Sequence, residues 1–219
     1  MTKRLEEICS RLSKTKTFAD VGCDHGYCAQ YMLENGLCER AYITDVSAKS
    51  LKKAETLLKE YIDAGKCIPL CTDGLQGIKE GCELVLIAGM GGEEIVHILQ
   101  ERIPPRFVLQ PMKNAPKLRA FLIERGCRIT EDCTFEDGKF YDLIVGESTG
   151  GTQYTEREII YGRDNLLNPS AAFMKKTAEE LQKVKGYLLD DSMSEGQREA
   201  LLKRRLELEE IYHAFEDDL

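Results

Sequence analysis

Between residue 17 and about residue 147, short apolar runs alternate with longer stretches in which apolar residues recur at helical spacing. The runs TFADV, AYITD, CIPLC, ELVLIA, RFVLQ, CRITEDC and FYDLIVGE are rich in β-branched and aromatic residues, and they predict seven strands. The stretches between them predict helices over Tyr27–Asn35, Ser47–Ala64, Gly92–Arg102 and Ala115–Arg125, with Ser47 as an N-cap. Alternation of this kind builds a parallel sheet covered by helices. The last two runs break the rhythm, because only a short segment containing Asp137-Gly138, a hairpin signal, separates them. The sheet is therefore expected to finish in an antiparallel pair, six strands parallel and one reversed.

After the glycine- and threonine-rich GESTGGTQYTERE the pattern changes. Two helical stretches follow, Ser170–Leu189 and Ser194–Phe215, the second opening on a capping-box pairing of Ser194 with Gln197. Apolar residues recur at heptad spacing: Met174, Leu181 and Leu188 with Val184, then Leu201, Leu208 and Phe215 with Ile211. A helical hairpin with coiled-coil packing is predicted. The expected division is a first domain over residues 1–155 and a helical domain over 156–219.

Composition narrows the class. A chain of 219 residues accommodates one α/β domain and an appendage, and 42% hydrophobic with 31% charged residues is the balance of a soluble globular protein. No run is long enough to cross a bilayer, and Met1–Ser10 is a polar, amphipathic opening without the apolar core of a secretory signal, so the cytoplasm is the expected location. Nine cysteines lie scattered through strands and helices and read as reduced, mostly buried thiols. Without a C-x-x-C pair, and with His25, His97 and His213 far apart, no metal site is expected. The net charge of -8 argues against indiscriminate binding to phosphate backbones. From Glu101 to Thr130, however, seven basic residues face two acidic ones: Arg102, Arg106, Lys113, Lys117, Arg119, Arg125 and Arg128 against Glu101 and Glu124. The KK, KVK and KRR clusters of the C-terminal helices sit among a larger number of acids and read first as a solvated face.

The chemistry centres on FADVGCDHGYCAQYMLENG, residues 18–36, a strand, a glycine turn and a helix. Such a turn directs backbone N–H groups and the positive helix end at a ligand. In the dinucleotide pattern G-x-G-x-x-G the second glycine admits the pyrophosphate, but here that position is Asp24, which would repel it. A cationic ligand without phosphate reverses the argument. S-adenosylmethionine (SAM) carries an α-ammonium that Asp20 and Asp24 would accept, ribose hydroxyls that suit Asp45 at the next strand end, and an adenine amine that suits Asp73, beside Gly74. A strand-end Asp often serves only as a helix cap. Four acids gathered at successive strand ends make SAM the expected cofactor. The fourth strand runs into IAGMGGEE, where Gly89, Gly91 and Gly92 allow close approach and Met90 lines a cleft, or where the glycines simply make a tight turn.

Taken in order, ADVGCDHGY, IAGMGG, LQPM, EDGKFYDLIVGE and YGRDNLL followed by a helical hairpin resemble the bacterial TrmK-type tRNA (adenine-22-N1)-methyltransferases over nearly the whole chain. The resemblance implies an α/β Rossmann-like class I SAM-dependent methyltransferase fold, seven-stranded with an antiparallel last hairpin, and a C-terminal coiled-coil hairpin that helps hold tRNA. It implies that Asp20, Gly22, Asp24, His25 and Gly26 form the donor-binding turn, Asp45 and Val46 the ribose end, and Asp73 and Gly74 the adenine end. Gly89, Met90, Gly91 and Gly92 would floor the catalytic cleft. Met112 stands where the family often has Asn, leaving Gln110 and Pro111 of that motif.

The implied reaction methylates N1 of an adenine by direct in-line attack. It produces a cationic base that Asp24 would stabilise, while His25 orients the base or moves a proton from its amine. N1 lies on the Watson–Crick edge, so the base must be unpaired or flipped out, with Tyr27 the nearest aromatic platform. The cations assigned to RNA are Arg102, Lys113, Lys117 and Arg119 with Lys203, Arg204 and Arg205 of the last helix. The expected partner is tRNA, with no membrane and no metal, and the expected assembly a monomer or weak dimer. Competing readings are a SAM-dependent enzyme for small molecules, a nicotinamide oxidoreductase, which Asp24 disfavours, and a noncatalytic SAM- or RNA-binding module.

Overall fold

In the computed structural model, which describes residues 2–78, 81–190 and 192–215, a short helix α1 (Lys3–Cys9) precedes the sheet. Thr2 caps it, accepting from the Leu5 N–H, and its apolar side buries Ile8 and Cys9. Then follow β1 (Thr15–Val21), α2 (Tyr27–Glu34), β2 (Cys38–Asp45), α3 (Ala48–Leu57), α4 (Lys59–Asp63) and β3 (Cys67–Cys71). The second half runs β4 (Leu84–Met90), α5 (Gly92–Glu101), β5 (Arg106–Pro111), α6 (Ala115–Glu124), β6 (Arg128–Glu136) and β7 (Phe140–Glu147). Each predicted strand is present. The helix expected over 47–64 is broken at Leu58, whose fully buried side chain turns inward against Gly26.

The strand order is β3-β2-β1-β4-β5-β7-β6, parallel except for β7, which is antiparallel to both β5 and β6. Asp137 and Gly138 make the expected turn, Gly138 at φ 68° and the Asp137 N–H donating to the Lys139 carbonyl. The chain order of strands reverses between β1 and β4, which opens a crevice at their carboxyl ends. Side chains alternate across the sheet. Phe18, Leu84 and Leu86 pack with Met32, Leu51 and Ala54 on one face, whereas Ala19, Val85 and Ile87 pack with Ile95, Leu99 and Leu118 on the other. Covering both faces explains why β4 reads as an unbroken apolar run.

Beyond the sheet lie α7 (Glu156–Tyr161), α8 (Arg163–Leu167), α9 (Ala171–Tyr187) and α10 (Glu195–His213). Periodicity does not reveal α7 or α8, since six and five residues complete less than two turns each. The YGRDNLL segment covers the edge strand β6. Asp164 Oδ2 accepts from the Asp132 N–H at 2.8 Å, Asn165 Oδ1 from the Thr134 N–H at 2.9 Å, and Arg163 donates to the Ile129 carbonyl at 3.2 Å. The last two helices form the predicted hairpin: Met174, Leu181, Val184, Leu208 and Ile211 are buried together, and Leu188, Leu201 and Phe215 pack against them.

Candidate active site

The turn from β1 to α2 needs left-handed backbone at three places: Gly22 (φ 70°), Asp24 (φ 43°) and Gly26 (φ 77°). Glycine takes this conformation freely and Asp tolerates it as a single residue. At Gly26 space also decides, because a Cβ would stand 2.9 Å from Leu58 Cδ1 and 3.0 Å from Ala54 Cβ. Three of the turn's amides are already engaged. Gly22 and Cys23 both donate to the Thr44 carbonyl, at 2.8 and 3.1 Å, and Gly26 donates to the Cys23 carbonyl at 2.7 Å. Three of the donors that would cradle a pyrophosphate are therefore spent inside the fold, and the turn presents carboxylates instead.

Asp20, at the end of β1 and buried, accepts only the Ala29 N–H, at 3.3 Å, among the described residues. Burial pushes its carboxyl up to about 7, against a smaller opposing pull from that N–H. It opens onto a cavity of about 410 Å³ lined by the turn residues Gly22 to His25, by Tyr27, by Ala88 and Gly89, and by Thr2, Arg4, Leu5 and Ile8 of the N-terminal segment. Asp24 faces solvent, 3.2 Å from Lys53 Nζ and 3.7 Å from His25 Nε2. The His25 ring stacks on Tyr27 with centroids 5.5 Å apart, and Tyr27 is 46% exposed at the rim. At the ends of β2 and β3, Asp45 Oδ1 accepts the Ser47 N–H at 2.7 Å, Val46 and Asp73 are exposed, and Thr44 Oγ1 donates to the Gly74 carbonyl at 3.0 Å. Thr44 thus ties the first turn to the third strand end.

On the other side of the crevice Met90 lies over the glycine turn, its Cε 2.1 Å from where a Cβ at Gly22 would stand. Gly91 N-caps α5. Gly92 has a packing role: its N–H donates to the Lys113 carbonyl at 2.8 Å, and a Cβ would collide with the Asn114 carbonyl oxygen at 2.4 Å. Gln110 is fully buried at the end of β5, where its Oε1 accepts from Arg4 Nε at 2.9 Å and its Nε2 donates to the Pro111 carbonyl at 3.0 Å. Met112 is 44% exposed beside it. Arg4 is the residue that sequence reasoning missed. The amphipathic pattern of residues 1–10 was its only signal, and nothing in that pattern says which element the guanidinium reaches.

A model of a methyltransferase domain matches residues 1–144. The tRNA (adenine(22)-N(1))-methyltransferase of Bacillus subtilis (strain 168) is 32% identical over 200 residues, covering 83% of this chain and 82% of that one. The chain belongs to the TrmK family of tRNA (adenine-22-N1)-methyltransferases. The crystal structure of the B. subtilis m1A22 tRNA methyltransferase TrmK superposes with a TM-score of 0.84 at 25% identity, over 97% of this chain and 98% of that one. A Streptococcus pneumoniae protein in complex with S-adenosyl-L-methionine superposes at 0.87 with 26% identity, over 97% and 100%. The TrmK architecture also sorts the basic residues.

In a parallel layer, strand starts and helix ends gather at the amino edge, away from the crevice. Arg102 lies there, donating to the Ile78 carbonyl at 3.3 Å and lining a separate hollow with Lys16, Glu83 and Pro104, so its assignment to RNA beside the cleft is withdrawn. Arg106 and Arg125 bond to Lys14 and Gln100 carbonyls at the same edge. Arg119 is also reassigned. It is 1% exposed, bonds Asp132 through Nε and Nη2 at 2.8–2.9 Å, and reaches Asp142 at 3.3 Å. Burial opposes its charge, but the two carboxylates more than offset that and hold the guanidinium above its ordinary value. Arg204 is tied to Glu180 and Glu207 and packs over the Tyr161 ring, so it serves the helical hairpin, and Arg205 lies 3.7 Å from Glu209. Lys113, Lys117 and Lys203 remain exposed, Lys117 paired with Glu93 at 2.8 Å.

No disulfide joins any of the nine cysteines and seven of them are buried; burial pushes Cys38 and Cys82 up to about 11, which makes them poor nucleophiles. Among the described residues no group of three or more His, Cys, Asp or Glu could hold a metal ion, and no helix is long and apolar enough to cross a membrane.

Proposed function

We propose that this protein methylates N1 of adenine 22 in tRNA with S-adenosyl-L-methionine as donor, acting in the cytoplasm as a monomer or weak dimer. The observation that carries the reading is the turn: three of its amides are spent on the Thr44 and Cys23 carbonyls, and it sets the carboxylates of Asp20 and Asp24 at the cavity. The substrate comes from the relatives, since the B. subtilis protein is a tRNA (adenine(22)-N(1))-methyltransferase. The cofactor fits the site. Asp20 is a buried carboxyl with one weak N–H partner beside the cavity, the counterpart a cation requires, and a Cβ at Gly89 would come within 2.9 Å of Arg4.

When bound, SAM supplies an electrophilic methyl group on a sulfonium, and in-line displacement by the N1 lone pair needs no covalent enzyme intermediate. In this reading Asp20 holds the α-ammonium, Asp45 the ribose hydroxyls and Asp73 the adenine amine, with Val46 and Gly74 beside them. Asp24, 3.2 Å from Lys53 Nζ, stabilises the positive charge that develops on the methylated base. His25 takes up or redirects the proton of the exocyclic amine. The stacked Tyr27 ring receives the flipped base at the rim, and Gln110 and Pro111 line the floor below it. Residues 1–155 form the methyltransferase domain and 156–219 a helical domain that helps hold tRNA, with Lys113, Lys117 and Lys203 facing phosphate. The test is nucleoside mass spectrometry of a tRNA transcript incubated with protein and SAM. N1-methyladenosine is expected. Unmodified RNA, with SAM binding confirmed by calorimetry, would leave a methyltransferase for small acceptors.

A further inference from the structure

We propose that Arg4 is a positioning residue for methyl transfer, acting through Gln110; this inference rests on the function proposed above. Gln110 is fully buried at the carboxyl end of β5, and its carboxamide has two possible orientations. Arg4 decides between them. A guanidinium only donates, so Gln110 must turn Oε1 toward Arg4 Nε, 2.9 Å away. That leaves Nε2 donating to the Pro111 carbonyl at 3.0 Å and lying 3.7 Å from Met112 Sδ, beneath that half-exposed side chain. In the reversed orientation donor would meet donor at Arg4 and acceptor would meet acceptor at Pro111. One N–H of the amide is thus satisfied by a carbonyl. The other faces only the thioether of half-exposed Met112, a weak acceptor on a flexible side chain, and displacement of that side chain presents this N–H to an acceptor atom of the incoming base.

Arg4 is itself held on several sides. Its backbone N–H donates to Asp137 Oδ2 at 2.9 Å, in the turn between β6 and β7, and its guanidinium lies over the Tyr141 ring, 5.4 Å from the centroid. Its Nη2 passes so close to Gly89 that a Cβ there would approach to 2.9 Å, so the glycine at the end of β4 makes room for it. One residue of α1 therefore joins the ends of β4 and β5, through its side chain, and the last hairpin turn, through its backbone, around the cavity that holds Asp20 and Asp24. Its contribution is geometric, fixing the amide on which the base is placed.

The experiment is single turnover with enzyme in excess, on a tRNA transcript carrying adenine 22. It compares wild type, Arg4→Met, Arg4→Lys, Gln110→Ala and the Arg4→Met/Gln110→Ala double variant. Arg4→Met is expected to slow transfer about 10- to 100-fold, with SAM and tRNA dissociation constants and thermal midpoint unchanged. Arg4→Lys, which can still donate to Oε1, is expected to recover most of that loss. In the Gln110→Ala background Arg4→Met should cost less than about twofold more; Gln110→Met, of similar volume, replaces the alanine variant if that one does not fold. Losses that multiply, or that appear wholly in the tRNA or SAM dissociation constant, overturn the inference. So does a loss that follows the thermal midpoint and is not rescued by lysine. No transfer by the wild type overturns the function proposed above and this inference with it, whereas multiplying losses in an active wild type overturn this inference alone.

Discussion

Asp20 shows how one residue couples folding to binding. Its folded carboxyl sits at about 7 against an ordinary 3.8, so between those values the folded chain keeps a proton that the unfolded chain has lost. The stability this contributes is complete below about pH 4 and is lost as pH rises through about 7, so burial of the ionised form costs at most about 4 kcal/mol above that. Asp20→Asn is expected to raise the urea midpoint over wild type at pH 8, to match it near pH 4, and to lose SAM affinity at both. Equal midpoints at pH 8 would contradict the assignment. Asp24 stands in the opposite environment, exposed and paired with Lys53. Asp24→Asn keeps the left-handed turn and is expected to slow transfer about 100-fold at unchanged thermal midpoint; near-normal turnover would remove Asp24 from the mechanism.

Asp20, Asp45 and Asp73 were legible because each lies at or just past the end of a strand whose apolar run marks the boundary, and Asp24 because it stands in the glycine turn. Arg4 was not, because its partners lie 106 and 133 positions away in the chain.

At the scale of elements, the buried ion cluster is structural. Arg119 of α6 is shared between Asp132 of β6 and Asp142 of β7, and Lys176 of α9 closes the group at 3.2 Å from Asp142. Asp142 stays below its ordinary value because Arg119 and Lys176 outweigh its burial. Removing the arginine would leave Asp132 buried without a cation and Asp142 with Lys176 alone. Arg119→Met is therefore expected to cost about 3–5 kcal/mol in urea unfolding, with the tRNA affinity of the folded fraction unchanged; a loss under about 1 kcal/mol would contradict the burial. In the helical hairpin, Leu208 is fully buried against α9 and Leu208→Ala is expected to cost about 2–5 kcal/mol.

Heptad spacing displayed that seam directly in the sequence. The charge count from Arg102 to Arg128 misled, because charge alone does not say which edge of the layer a residue occupies. Topology does: Arg102, Arg106 and Arg125 belong to strand starts and helix ends, whereas Lys113 follows a strand and Lys117 opens a helix.

Across the whole molecule, a net charge of -8 must meet a polyanion through a few exposed cations. Charge reversal at Lys113, Lys117 or Lys203 is expected to weaken tRNA binding without changing SAM binding, and to lower the slope of log affinity on log salt by about 0.7–0.9 per site. An unchanged slope would move the RNA face elsewhere. The seven strands and their antiparallel last pair were readable from run lengths and one Asp-Gly turn. The covering of the β6 edge by Asp164 and Asn165 was not, since polar side chains bonded to a distant backbone leave no periodic trace.

The most direct measurement uses purified protein, SAM and two tRNA transcripts that differ only at position 22, adenine or guanine, read by nucleoside mass spectrometry. N1-methyladenosine from the adenine transcript alone is the predicted result. Equal methylation of both transcripts, or of neither while SAM binds, would contradict it.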